Sequence, residues 1–141
     1  MTTFFIPGKP FAKKRARSFY NKRLGRAMTV NPAENASFEG KVAAIALPLF
    51  AEPLSGPVSI EVTVTFTPAA SWSRKRRQEA IGTYHTQKPD GDNILKAVKD
   101  GLNRVAWADD SQVAISLIRK LWGEAEGTAI TVLPAMPEVS A

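Results

Sequence analysis

Val58-Ser-Ile-Glu-Val-Thr-Val-Thr-Phe66 alternates without a break: Val58, Ile60, Val62, Val64 and Phe66 face one way, Ser59, Glu61, Thr63 and Thr65 the other. A period of two in β-branched residues marks a strand with one face on a core. Downstream, residues 92–103 switch to helical spacing, with Ile94, Leu95, Val98 and Leu102 as the apolar stripe. Two more strands are predicted, Val113 to Leu121 and Thr128 to Leu133, joined by the turn-like Gly123-Glu-Ala-Glu-Gly127. Upstream, Phe4-Phe5-Ile6 reads as a short strand ended by Pro7-Gly8. Phe38, Val42, Ile45 and Leu49 predict an amphipathic helix from about Asn35 to Phe50, ended or bent near Pro48, with Glu34 and Glu39 near its positive end. Ser71 or Ser73 can cap a short helix through about Ala80. The order β, α, β, short α, α, β, β does not alternate regularly. It predicts an α+β fold with a mixed sheet flanked by helices. The 141 residues correspond to a single domain, 1–141, with a frayed tail over 134–141.

Composition narrows the chemistry. The chain has no cysteine, which excludes disulfides, thiolate nucleophiles and zinc–thiolate sites, and its single histidine, His85, excludes any site needing two imidazoles. No apolar run approaches the ~18 residues of a membrane span, and Thr2-Thr3 opens no secretory signal, so a cytoplasmic protein is expected. The net charge of +6 points toward a polyanion. Its distribution is more telling. Residues 1–30 carry eight Lys/Arg and no acid, whereas all five aspartates fall between Asp90 and Asp110. The basic segment, with Lys13, Lys14, Arg15 and Arg17 followed by Lys22, Arg23 and Arg26, reads as a solvated loop or a phosphate-binding arm. Arg74, Lys75, Arg76 and Arg77 cannot all leave one face of a helix, so some meet solvent or a polyanion.

Asp90-Gly91-Asp92-Asn93 leads into the 92–103 helix, and Asp109-Asp110 follows it. Residues two apart in extended chain project to one side, so Asp90 and Asp92 can converge, and Lys96 follows Asp92 by one helical turn. Close carboxylates repel, and a hard divalent cation resolves the repulsion. Mg²⁺ takes a few carboxylates and leaves positions for phosphate oxygens. Such a site suits phosphodiester cleavage, with Lys96 as a point charge on the transition state. Each residue also has an ordinary role. Asp92 is a good helix N-cap, Asp92 and Lys96 can form a helical ion pair, Asp109-Asp110 resembles a turn, and Asp100 can pair with Arg104. Trp107 reads as a packing anchor. His85 is structural, a ligand or a phosphate contact.

Several strings resemble a known family: His85-Thr-Gln-Lys88-Pro89-Asp90-Gly91-Asp92-Asn93, then Lys96, then Asp100-Gly-Leu, then Val105-Ala-Trp107-Ala-Asp109-Asp110-Ser-Gln-Val113. Together with Ile6-Pro7-Gly8-Lys9-Pro10 and the basic run after it, they resemble the RusA-type Holliday-junction resolvases. These are small endodeoxyribonucleases of DNA recombination and repair, often carried by phages and prophages. The resemblance implies a RusA-like fold, a two-fold homodimer, and Mg²⁺ (with Mn²⁺ as a substitute) as cofactor, with no small-molecule cofactor. It implies cleavage of four-way junctions in branched DNA by paired phosphodiester hydrolysis. Carried over by position, it places metal-binding aspartates at Asp90, Asp92 and Asp110, with Asp109 as a further candidate, and the catalytic lysine at Lys96. Lys13, Lys14, Arg15, Arg17, Arg74, Lys75, Arg76, Arg77 and Lys88, with His85, are the candidate DNA contacts. Gly91 departs from the apolar residue many members carry between the aspartates. Two other functions fit the residues: a basic nucleic-acid-binding module without catalysis, and a less selective metal-dependent nuclease.

Overall fold

A computed structural model describes residues 1–136. In chain order it contains β1 (Thr2–Pro7), β2 (Arg17–Asn21), β3 (Arg26–Val30), α1 (Ala33–Ala46), β4 (Val58–Phe66), α2 (Arg74–Ala80), α3 (Gly91–Leu102), β5 (Val113–Trp122) and β6 (Gly127–Pro134). Single 3₁₀ turns extend α1 through Leu47–Leu49 and precede β5 at Asp110–Gln112. The fold is α+β, with a mixed four-stranded sheet and three helices.

The strand order is β1-β6-β4-β5. β4 is central: it runs antiparallel to β6 and parallel to β5. All five apolar residues of its alternating face are buried, while Glu61 on the other face is exposed. β5 and β6 are consecutive in sequence but do not pair with each other. β4 lies between them, and their connection crosses its end, where the Gly123 N–H donates to the Phe66 carbonyl at 2.9 Å. A parallel β4–β5 pair needs a long crossover, and residues 67–112, containing α2 and α3, supply it.

The buried face of β4 shares one core with Val42 and Ala46 of α1 and with Ile94, Val98 and Leu102 of α3. The two helices meet closely at Gly101, where a Cβ would lie 2.7 Å from the Val42 Cβ. Any larger residue there would push α1 from α3. α1 begins directly after Pro32 and continues into the Leu47–Leu49 turn, so the expected break at Pro48 falls inside a tightened final turn. Leu49, counted with the apolar face, is exposed because that turn no longer follows the helical period.

The basic segment is not a plain loop. Residues 17–30 form a separate antiparallel hairpin, β2–β3, closed at Asn21: its Oδ1 accepts from the Arg23 and Leu24 N–H groups, and its carbonyl from the Gly25 N–H. Gly25 has φ of 63°, the left-handed region glycine enters freely. Both faces of β2 are largely exposed, so no burial pattern marks it in the sequence. At the other end, β6 holds the chain through Pro134, and the Ala135 N–H donates to the Pro57 carbonyl. The remainder of the expected frayed tail, 137–141, lies outside the described residues.

Candidate active site

α3 begins at Gly91, one residue earlier than its apolar stripe requires, so the N-cap position belongs to Asp90 and not Asp92. Neither carboxylate is committed to capping: the Asp90 side chain makes no cap hydrogen bond, and only its backbone carbonyl accepts from Asn93 and Ile94. Asp92 sits in the first turn, where the positive end of the helix dipole favours its charge. The ion pairs among the described residues are Lys13–Glu39, Lys13–Asp100 and Lys14–Glu34, so Asp92 and Lys96 are not paired with each other. The two ordinary roles open to Asp92 are therefore not the ones it takes. A Cβ at Gly91 would lie 3.4 Å from Ile118, an ordinary contact, so the packing there does not require glycine.

Asp110 is fixed from below. Trp107 is fully buried, and its indole Nε1–H donates to Asp110 Oδ1 at 2.8 Å. The expected packing anchor therefore also orients a carboxylate, a role with only the Trp-x-x-Asp spacing as its sequence signal. Asp109 caps the next turn, its Oδ1 accepting from the Ser111 N–H at 2.8 Å, and this bond holds its carboxyl below the usual range. Gln112 completes a capping box with Asp109, and its Nε2 donates to the Leu54 and Gly56 carbonyls at 2.9 and 3.0 Å. The 107–112 segment is thus bolted to the chain ahead of β4.

These elements enclose an open cleft of about 420 Å³ lined by Asp92, Leu95, Lys96, Lys99, Asp100 and Asp110. Lys96 also lines a second cleft of about 510 Å³, with Lys13, Lys14, Arg15, Asn31 and Asn93. An acidic cleft and a basic cleft thus meet at one lysine. Asp90 and Asp109 adjoin this arrangement in sequence but line neither cleft. Among the described residues no three carboxylates or imidazoles converge as a closed metal-binding cluster. Three carboxylates line the open cleft, and Asp100 is paired with Lys13, which leaves Asp92 and Asp110 as the donor set. It fits Mg²⁺, which commonly binds one or two carboxylates, keeps water and takes substrate phosphates as further ligands.

The basic segment is built onto this site. The Lys13 N–H donates to the Asn93 carbonyl at 2.9 Å. Asn35 of α1, 1% exposed, accepts from the Lys14 N–H and donates to the Lys14 carbonyl. The Lys13 ammonium bridges Asp100 and Glu39, and its hydrogen bond with Asp100 raises its pKa. Asp100 therefore pairs with Lys13 rather than with Arg104, which stands beyond the helix at φ of 69°. The charge of this segment is legible in the sequence, whereas its attachments are not, because a clamp such as Asn35 has no local signature.

The remaining candidates lie elsewhere. Ser73 caps α2, accepting from the Arg76 N–H at 3.1 Å, and the four cations of the run fan out. Arg74 and Arg77 line a cleft with Glu124, and Arg76 stacks on Trp72 with its guanidinium 3.7 Å from the ring centre. Lys75 and Arg17 are exposed. Lys88 is exposed just ahead of Asp90, after His85. His85 itself is buried between Phe66 and Trp122, with ring centres 4.1 and 4.3 Å away. Burial, helped by nearby Lys120, lowers its pKa.

With this geometry in place, comparison with known proteins is informative. The family model described as "Endodeoxyribonuclease RusA" matches residues 7–133. The chain is also 36% identical over 126 residues to the "Uncharacterized protein YqaN" of Bacillus subtilis (strain 168), covering 86% of this chain and 87% of that protein.

Proposed function

The chain belongs to the RusA endodeoxyribonuclease family, and from that premise we propose that it is a Mg²⁺-dependent, structure-selective nuclease. Its substrate in this reading is the four-way DNA junction, resolved during recombination or repair by hydrolysis of paired phosphodiesters. The observation that carries the reading is the meeting of the two clefts at Lys96, with Asp92 and Asp110 on one side and Lys13, Lys14 and Arg15 on the other.

Asp92 and Asp110 would hold the cation, and Asp90 stands two residues before Asp92 at the helix N-cap. When bound, Mg²⁺ supplies a Lewis acid for the phosphate and lowers the pKa of a water at neutral pH. The protein's own groups do the rest. The indole of Trp107 holds the Asp110 carboxylate in one orientation, which limits rearrangement as charge develops. Lys96 is not neutralised by Asp92, so its ammonium is available to a phosphate oxygen or to the departing oxygen. The basic cleft and the hairpin beyond it supply sequence-independent contacts to backbone phosphates. A junction is roughly two-fold symmetric, so a C2 homodimer with two such sites matches paired incision.

The test is a substrate panel of synthetic four-way junctions, flaps, linear duplex and RNA, with Mg²⁺ or chelator, on wild type, Asp92→Asn, Asp110→Asn and Lys96→Ala. Cutting confined to branched DNA with Mg²⁺ is expected. Each variant should lose cleavage by about two orders of magnitude or more, as when a transition-state charge contact is removed, while still binding junctions. Undiminished cutting by Asp92→Asn would sink the assignment, and equal cutting of duplex would replace it with a less selective nuclease.

A further inference from the structure

Between the ends of β4 and β5 and the start of α2 lies a further cleft, of about 270 Å³, outside the carboxylate site. Its walls are Trp72 and Trp122, whose ring centres are 5.1 Å apart, and its floor is His85 stacked on Phe66. Trp72 is half-buried and lies outside the hydrophobic core, packed on Trp122 at its edge. Arg76 covers one face of that ring, a cation–π contact that keeps the indole in place. His85 is 6% exposed, and its Nδ1 is buried without a hydrogen-bond partner.

The rim carries the complementary charge. Lys9 and Lys88 line the cleft, and no carboxylate does. Lys120 braces the same wall by donating to the Gln87 carbonyl at 2.6 Å. The cleft's last lining residues, Lys88 and Pro89, lead directly into Asp90 at the head of α3. The space suits one flat ring system and is below the ~300 Å³ at which pockets for drug-sized ligands begin.

We propose that this cleft binds a single unstacked nucleobase of the DNA substrate, laid on the paired rings of Trp72 and Trp122, with its flanking phosphates on Lys9 and Lys88. Aromatic platforms accept any base through its π-face, and cations beside them hold the backbone. A base can leave its stack at a branch point more cheaply than within continuous duplex, so the cleft favours branched over linear DNA. The proposal rests on the junction-nuclease reading and deepens it by assigning a substrate subsite.

The experiment measures equilibrium binding, in chelator so that nothing is cut, of wild type, Trp72→Phe and Trp72→Ala to synthetic four-way junctions. The junctions are either intact or carry one abasic site at successive positions around the branch. Trp72→Ala should weaken binding to the intact junction roughly five- to 150-fold, the range of base–aromatic stacking, and Trp72→Phe by much less. At one position the abasic site should cost wild type the same factor and cost Trp72→Ala nothing more. Independent, multiplying losses at every position, or wild-type affinity in Trp72→Ala, would overturn the subsite. Junction binding and Mg²⁺-dependent cutting that survive with Trp72 silent would remove the subsite alone. Failure of the wild type to prefer branched DNA would remove both readings.

Discussion

Replacing Lys13 by Met tests whether the basic segment is a structural part of the site or an appendage. The Lys13 ammonium lies 3.6 Å from Glu39 and closer to Asp100, and all three side chains are about a quarter exposed, at 24% to 27%. A unit ion pair at this range contributes about 1 kcal/mol in water and about 4 kcal/mol at the permittivity near a protein surface. Ordering a lysine side chain costs up to ~2 kcal/mol, so a net of about 1–2 kcal/mol is expected for the bridge. Lys13→Met keeps the aliphatic stem but leaves Asp100 and Glu39 facing each other without a cation. Urea unfolding should show a loss of about 2 kcal/mol, and Asp100→Asn a smaller one. The double variant should lose less than the sum, with a coupling of about 1–2 kcal/mol. Because the pKa of Lys13 is raised in the folded state, its contribution is complete below its ordinary value of 10.5. It disappears only as pH climbs past the folded-state value. Coupling below about 0.3 kcal/mol, within ordinary additivity, would refute the bridge and leave the docking of the segment to the Lys13–Asn93 backbone bond and the Asn35 clamp.

Two further outcomes follow from single contacts. Trp107→Phe removes the indole donor to Asp110 while keeping an aromatic ring in the core, and should cost about 1.5–3 kcal/mol in urea unfolding, the range for a bond to a charged acceptor. It should also slow Mg²⁺-dependent cleavage with junction affinity unchanged; a wild-type rate would show that Asp110 needs no such support. His85 has its folded-state pKa lowered below 6.5 by burial and by Lys120, so the unfolded chain binds more protons in mildly acidic solution. Stability should therefore be level above pH 6.5 and fall below it toward the folded-state value. His85→Phe should flatten that slope in thermal melts, and an unchanged slope would place the titrating group elsewhere.

What the sequence made legible depends on whether the signal was local. The alternation at 58–66 identified β4, and all five residues of its apolar face are buried. The stripe Ile94, Val98 and Leu102 identified α3, and Ser73 caps α2 as expected. The hairpin at 17–30 was invisible because neither face is buried, so its strands lack the period that burial imposes. Long-range facts were equally hidden. Nothing local says that β4 separates β5 from β6, or that Asp100 reaches back to Lys13. In the site, spacing marked Asp90, Asp92, Lys96, Asp109 and Asp110 as candidates beside their ordinary roles as caps, turns and ion pairs, and their roles came from the family resemblance. The discrimination among them was not legible, since it rests on where α3 begins and on which carboxylates their own backbone claims.

The parallel pairing of β4 with β5 has a consequence for the life of the chain after synthesis. Asp92 and Lys96 lie within the crossover, and Asp110 lies at its far end, immediately before β5. They face a common cleft only once β5 has docked beside β4, and that contact closes a long loop whose entropy must be overcome before the strands repay it. The acidic cleft is therefore complete only once the crossover has closed on β4.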